Sequence, residues 1–303
     1  RSSAASDVYK RQIITAARYN NLQSRVATVM GTGSGDDGYG QTLNSAQVAA
    51  SATVNATDMS TLYTDIANGR VHQTGVTPTE IAIISQSDVV LDSDTINKKG
   101  VAQFENLTTT LENEKFQIHS SQGTAEAAIS AQYTSNWNGT LAHLFDVTFT
   151  DADHRRQFFN AGGEIRTAAN IAKNSPPAKT LDWMTMLSNM GTIKMGYTST
   201  SATGSGSGTT VGFHDLTTSF QNLFVKNGTG LYAANNYTLK GRIVGTNQIQ
   251  LRAEFNDANT GNPNYDEDVE GTLTSTITQF RATGVYVAVP TPTYQTNAGS
   301  NLT

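Results

Sequence analysis

A chain of 303 residues, 37% hydrophobic and only 15% charged, is long enough for one large domain or two ordinary ones and for a real core. A net charge of −5 excludes a basic nucleic-acid footprint as the dominant feature, and the lack of cysteine excludes disulfides, thiolate zinc sites, thiol nucleophiles and iron–sulfur clusters. No apolar run approaches the ~18 residues of a membrane span, no signal-peptide pattern is visible, and Thr, Asn, Ser and Gly stand where charge usually covers a surface.

Apolar or small residues at Ile13, Ala16, Ala17, Leu22, Val26 and Val29 predict a helix over 13–30, ended by the glycines of 31–41. The run 48–54 reads as a short strand. Met59, Leu62, Tyr63 and Ile66 predict a second helix over 58–71, with Gly69 and Gly75 placed to end it. One or two short strands are expected within 79–91. Val101, Phe104, Leu107 and Leu111 carry a third helix over 96–116. The first section is therefore mostly helical with a β insertion.

From about residue 140 the period changes to two: Phe145, Val147 and Phe149 alternate with polar residues. Residues 151–157 read as a turn or a single helical turn. The stretch 158–169 reads as a strand, a Gly162-Gly163 bulge or turn, and a second strand. A short amphipathic helix over 181–190 follows, with Asp182 as its cap, then a strand over 191–197. The run 201–210 reads as a flexible loop. The phrases YTLKGRIVG, NQIQLRAEF, GTLTSTITQF and TGVYVAVP read as successive strands, and the tail after Pro290 as extended and mobile. The expected class is α+β: a helical N-terminal section followed by an antiparallel, jelly-roll-like β-sandwich.

Chemistry is sparse. Gly33, Gly35 and Gly38 match G-x-G-x-x-G, but the match follows a helix and carries Asp36 and Asp37 where a phosphate wants positive charge, so a tight interhelical loop is the better reading. Asp151, Asp153 and His154 could supply metal ligands, against a surface turn held by Asp–Arg pairs. In the acidic stretch 256–268, Asp257, Asn259 and Gly261 take the first, third and fifth positions of a calcium loop. Asn262 stands where glycine is needed and Asp268 where glutamate is usual, so a solvated hairpin is preferred. Gly204-Ser205-Gly206 lacks nucleophile-elbow spacing. Trp137, Tyr197, Tyr232, Tyr237 and Tyr265 would form a sugar-stacking platform if exposed together; scattered, they are ordinary core or hairpin residues, which is the preferred reading.

Six stretches, in order, carry a family resemblance: AARYNNLQSRVATVMGTGSGDDGYGQTL (16–43), DMSTLYTDIANGRVHQTG (58–75), HRRQFFNAGGEIRTAA (154–169), DWMTMLSNMGTIKMG (182–196), TTSFQNLFVKNGTGLYAANNYTLKGRI (217–243) and EGTLTSTITQFRATGVYVAVPTPTY (270–294). Together they resemble the virion structural, tail-fibre-like proteins of marine T4-like cyanophages and related tailed phages. The opening RSSAASDVYKRQ resembles a translated sequencing-adaptor scar from environmental assemblies, on which reading the native protein continues upstream. The resemblance implies assembly rather than catalysis. No catalytic, cofactor-binding or metal residue is carried over, and Phe158, Phe159, Gly162, Gly163 and Ile165 would shape one strand pair.

The expected organisation is an artefact or arm at 1–12, a helical docking section at 13–135, a sandwich at 136–290 and a tail at 291–303. The expected function is a non-enzymatic component of a tailed-phage virion, in the tail, neck, baseplate or fibre. Its expected partners are copies of itself and other virion proteins, with no cofactor, nucleic acid or membrane. Alternatives are a receptor- or carbohydrate-binding module meeting a host-surface glycan, with its contacts on loops 198–212 and 256–268, or a polysaccharide depolymerase using Asp257, Asp266 and Glu267.

Overall fold

The computed structural model describes residues 14–88, 90–259 and 268–301. The chain forms two compact units. One comprises residues up to 124 together with 156–162 and 282–289; the other comprises 125–155, 163–281 and the residues from 290 onward. The first boundary lies at 124/125, where sequence patterning places it near 135, and two later segments belong to the helical unit.

The helical unit is built on α1 (Ala16–Met30), α2 (Ala56–Thr74) and α3 (Val101–Asn113). Each presents its apolar stripe inward: Tyr19, Leu22 and Val26 from α1, Leu62 and Ile66 from α2, Phe104 and Leu111 from α3 are all buried. Thr15 caps α1, its hydroxyl accepting from the Arg18 N–H. The Asp58 carboxylate reaches back to the Asn55 N–H at 2.7 Å to open α2, and Gly75 closes it in the left-handed region at φ 79°. Two ion pairs tie α1 to α3 one heptad apart: Arg18 to Glu105 at 2.7 Å and Arg25 to Glu112 at 2.6 Å.

Three expected elements of this unit differ. Residues 48–54 form no strand, because the Val48 peptide is held on both sides by the Asn20 carboxamide, at 2.9 Å to its N–H and 2.8 Å from its carbonyl. The described residues of 79–91 form no strand either; Ala82 N–H donates across to the Lys98 carbonyl, and Ser85 N–H is taken up in a local turn by the Asp88 carboxylate. The third helix begins at Val101 rather than 96. Asp94 accepts from the Asn97 N–H and Lys98 takes φ 61°, a local turn that competes with the helix and leaves Ile96 exposed.

The second unit holds two antiparallel sheets, the sandwich expected from the alternating pattern. One contains β1 (Gly123–Ala125), β2 (Ile129–Tyr133), β4 (Glu164–Ala172), β5 (Ile193–Met195), β6 (Thr200–Ala202) and β11 (Thr272–Ala282). In the other the order is β12 (Thr293–Asn301), β3 (Gly139–Thr148), β10 (Gln248–Asp257), β9 (Asn236–Val244), β8 (Gln221–Asn227) and β7 (Ser207–Gly208). Burial alternates strictly along β10 and nearly so along β4 and β11, so Leu251, Phe255, Ile165, Leu273 and Ile277 form the interior. Helix α5 (Ala178–Met190) packs against β4 with Trp183, Leu187 and Met190 buried. It is capped at Pro177, not at Asp182, whose carboxylate instead accepts from the Thr229 hydroxyl at 2.6 Å.

Other expectations give way here as well. Phe158 and Phe159 lie not in a strand but at the end of α4 (Ala152–Asn160), their rings edge-on at 4.9 Å; Gly162 then turns the chain at φ 77° toward β4. The run 201–210 is no flexible loop. It folds back on α5, where Gly204 and Ser205 N–H donate to the Met190 and Asn189 carbonyls, and it contributes β6 and β7. The phrase TGVYVAVP makes one isolated bridge, Thr283 with Ala288, rather than a strand. The tail is not loose: β12 pairs with β3 from Thr293 to Asn301 across one irregularity.

Candidate functional site

The candidates that fall on described residues each have a definite place. In the helical unit, the glycine loop 31–40 presents carbonyls inward rather than a ring of free N–H groups. Arg156 donates to the carbonyls of Asp37 and of Thr32, the latter at 2.6 Å, and the Asn160 carboxamide donates to the Asp37 carbonyl at 2.9 Å. The acidic pair that argues against phosphate is itself neutralised: Lys115 lies 3.0 Å from Asp36 and 2.7 Å from Asp37. Gly33 and Gly38 take φ 54° and 95°, and a Cβ on Gly38 would stand 2.3 Å from the Thr32 carbonyl oxygen. The loop is a socket for an arginine of its own chain, as the interhelical-loop reading expects.

Beneath it Tyr39 is buried, its hydroxyl donating to the Lys115 carbonyl at 2.6 Å. His72 packs against Tyr39, ring centroids 5.0 Å apart, with Nε2 3.1 Å from the Ala161 carbonyl. Burial pushes the His72 imidazole down to about 4. A groove of ≈ 790 Å³ opens beside the start of α2, between buried Ile14, Met59 and Ile84 and polar Asn55, Thr57 and Asp88. Asp88 is paired with Lys99 at 2.6 Å, and among the described residues no second acid, histidine or lysine lines the groove.

In the sandwich unit, Asp151, Asp153 and His154 do not converge. The Asp151 carboxylate caps α4 through the His154 N–H at 2.7 Å. The His154 ring turns away, Nε2 donating to the Pro290 carbonyl at 2.9 Å and its face lying edge-on to Phe149 at 5.2 Å. Among the described residues no group of His, Asp and Glu is arranged to hold a metal, and no helix is long and apolar enough to cross a membrane. Trp137, Tyr197 and Tyr237 are buried, so they form no exposed stacking surface. Tyr265, Asp266, Glu267, Gly261 and Asn262 lie outside the described residues.

Asp257 holds the arrangement that sequence reasoning missed. Its carboxylate lies 3.0 Å from Lys179 Nζ, with both side chains fully buried. Lys179 also donates to the Asn259 carbonyl at 2.7 Å, and the Asn259 N–H donates to Asn235 Oδ1 at 2.8 Å. Asn235 is 0% exposed. Burial pushes the Asp257 carboxyl up, against the downward pull of Lys179 and of the Asn235 carboxamide. An aromatic wall adjoins this cluster: Trp137 and Trp183 at 5.1 Å, Trp183 and Phe255 at 6.2 Å, Tyr237 and Phe255 at 5.2 Å. The only signal in the sequence was strand parity, which puts Asp257 on the face of Phe255 and Asn235 on that of Tyr237; nothing local marks Lys179 as buried.

Compared with known proteins, the sequence matches no family model, and neither a curated protein nor a solved structure matches the chain.

Proposed function

We propose that this chain is a non-enzymatic structural component of a tailed-phage virion, associated with the tail, neck, baseplate or fibre and assembling with copies of itself and with other virion proteins. The observation that carries the reading is the ordered series of six phrases between residues 16 and 294. The architecture supports it: a helical unit suited to docking and a sheet-rich unit suited to a resistant body are separate compact parts. Among the described residues, the helical unit also holds five of the seven exposed large hydrophobic side chains, Val76, Ile83, Ile96, Val285 and Tyr286, which supports self-assembly through that unit.

Quantitative mass spectrometry of density-banded, nuclease-treated particles, scaled to the major capsid protein, tests this. A fixed ratio of a few to a few dozen copies is expected, and absence from purified particles would sink the idea. The assembly part has its own readout. Light scattering after size-exclusion chromatography should give an oligomer that Ile83→Asp together with Val285→Asp shifts toward monomer.

A further inference from the structure

The geometry points to an intramolecular isopeptide bond joining Lys179 Nζ to Asn235 Cγ, with Asp257 carrying the proton between them. The inference is independent of the virion reading. It rests on three fully buried side chains that meet at the base of the aromatic wall, where a single unreacted Lys–Asp pair is a costly thing to bury. The nucleophile is held: Lys179 donates to Asp257 Oδ2 at 3.0 Å and to the Asn259 carbonyl at 2.7 Å. The electrophile is polarised, because the N–H of that same Asn259 donates to Asn235 Oδ1 at 2.8 Å, where negative charge would develop. One residue's two backbone groups thus place amine and carboxamide side by side. Among the described residues, the leaving nitrogen, Asn235 Nδ2, and the second oxygen of Asp257 are buried without an aligned hydrogen-bond partner.

The step balances without any co-reactant. The Lys179 ammonium passes one proton to the Asp257 carboxylate, and the free amine attacks Asn235 Cγ, moving the carbonyl pair onto Oδ1. Asp257 gives its proton to Nδ2 and takes a second from the attacking nitrogen. The tetrahedral carbon then collapses, the C–Nδ2 bond breaks and ammonia leaves. An amine charge and a carboxylate charge become a neutral amide and a neutral acid, which suits the dry surroundings.

The experiment is intact-mass and tryptic-peptide analysis of the full-length folded protein. The expected result is a chain lighter than its sequence by one ammonia, with residues 174–194 and 227–240 recovered as one branched peptide uncleaved at Lys179. The branch is the deciding signal, since an Asn-Gly imide also loses ammonia but joins no peptides. Asp257→Asn, which keeps the packing volume, should leave the two peptides separate, as should Lys179→Met. Separate peptides from the wild-type chain would overturn the proposal whether or not the variants fold. So would loss of water with a branch to residues 253–281, which would mean that Asp257 itself is the acceptor.

Discussion

At the scale of single residues, His72 makes stability pH-dependent. Its folded value of about 4 lies below the ordinary 6.5, so between these limits the unfolded chain binds a proton that the folded chain does not. Stability contributed by the neutral ring is complete above pH 6.5 and is lost as pH falls toward 4, by up to about 3 kcal/mol. Urea midpoints measured from pH 8 to pH 4.5 should fall, and His72→Gln should flatten that slope while lowering stability at pH 8 through lost packing on Tyr39. Gly38 is a second sensitive position. Alanine there combines φ 95° with a collision against the Thr32 carbonyl, so Gly38→Ala should cost about 1–3 kcal/mol in thermal or urea unfolding of the helical unit.

Among elements, the three helices are held by their apolar stripes rather than by their ion pairs. The Arg25–Glu112 pair is about one-third exposed on each side, so a double-mutant cycle should return less than about 1 kcal/mol of coupling. Phe104 is fully buried, and Phe104→Ala should cost about 3–5 kcal/mol in the same urea assay. In the sandwich unit, β12 covers the outer edge of β3 from Thr148 to Leu141. A chain ending at Pro292 leaves that edge's backbone groups unpaired. Light scattering should then show concentration-dependent self-association, and hydrogen exchange should accelerate along β3; an unchanged exchange pattern would show that β12 contributes no protection.

For the whole molecule, the sequence by itself determined the class and most of the framework. The 3.6-residue stripes of α1, α2 and α3 and the two-residue alternation of β3, β9, β10 and β11 are local consequences of one buried face, and each is legible wherever that face is long. It also marked Gly75 as a helix stop and argued against phosphate at the glycine loop, because a positive φ and a pair of aspartates are local facts; Gly69, read as a stop in the same way, lies buried inside α2, which runs on to Thr74. Tertiary structure decided the rest. Residues 48–54 and 79–91 have strand-like composition but no strand to pair with, since Asn20 and Lys98 hold their backbone groups instead. The tail became β12 only because β3 offered an edge. The Lys179, Asn235 and Asp257 cluster could not be read in advance: the three lie 56 and 22 residues apart in sequence (235 − 179 and 257 − 235), and only the registry of β9 with β10 and the docking of α5 brings them together. Burial is what makes a reactive pair of this helix lysine and this strand aspartate, and burial is a property of the packed chain.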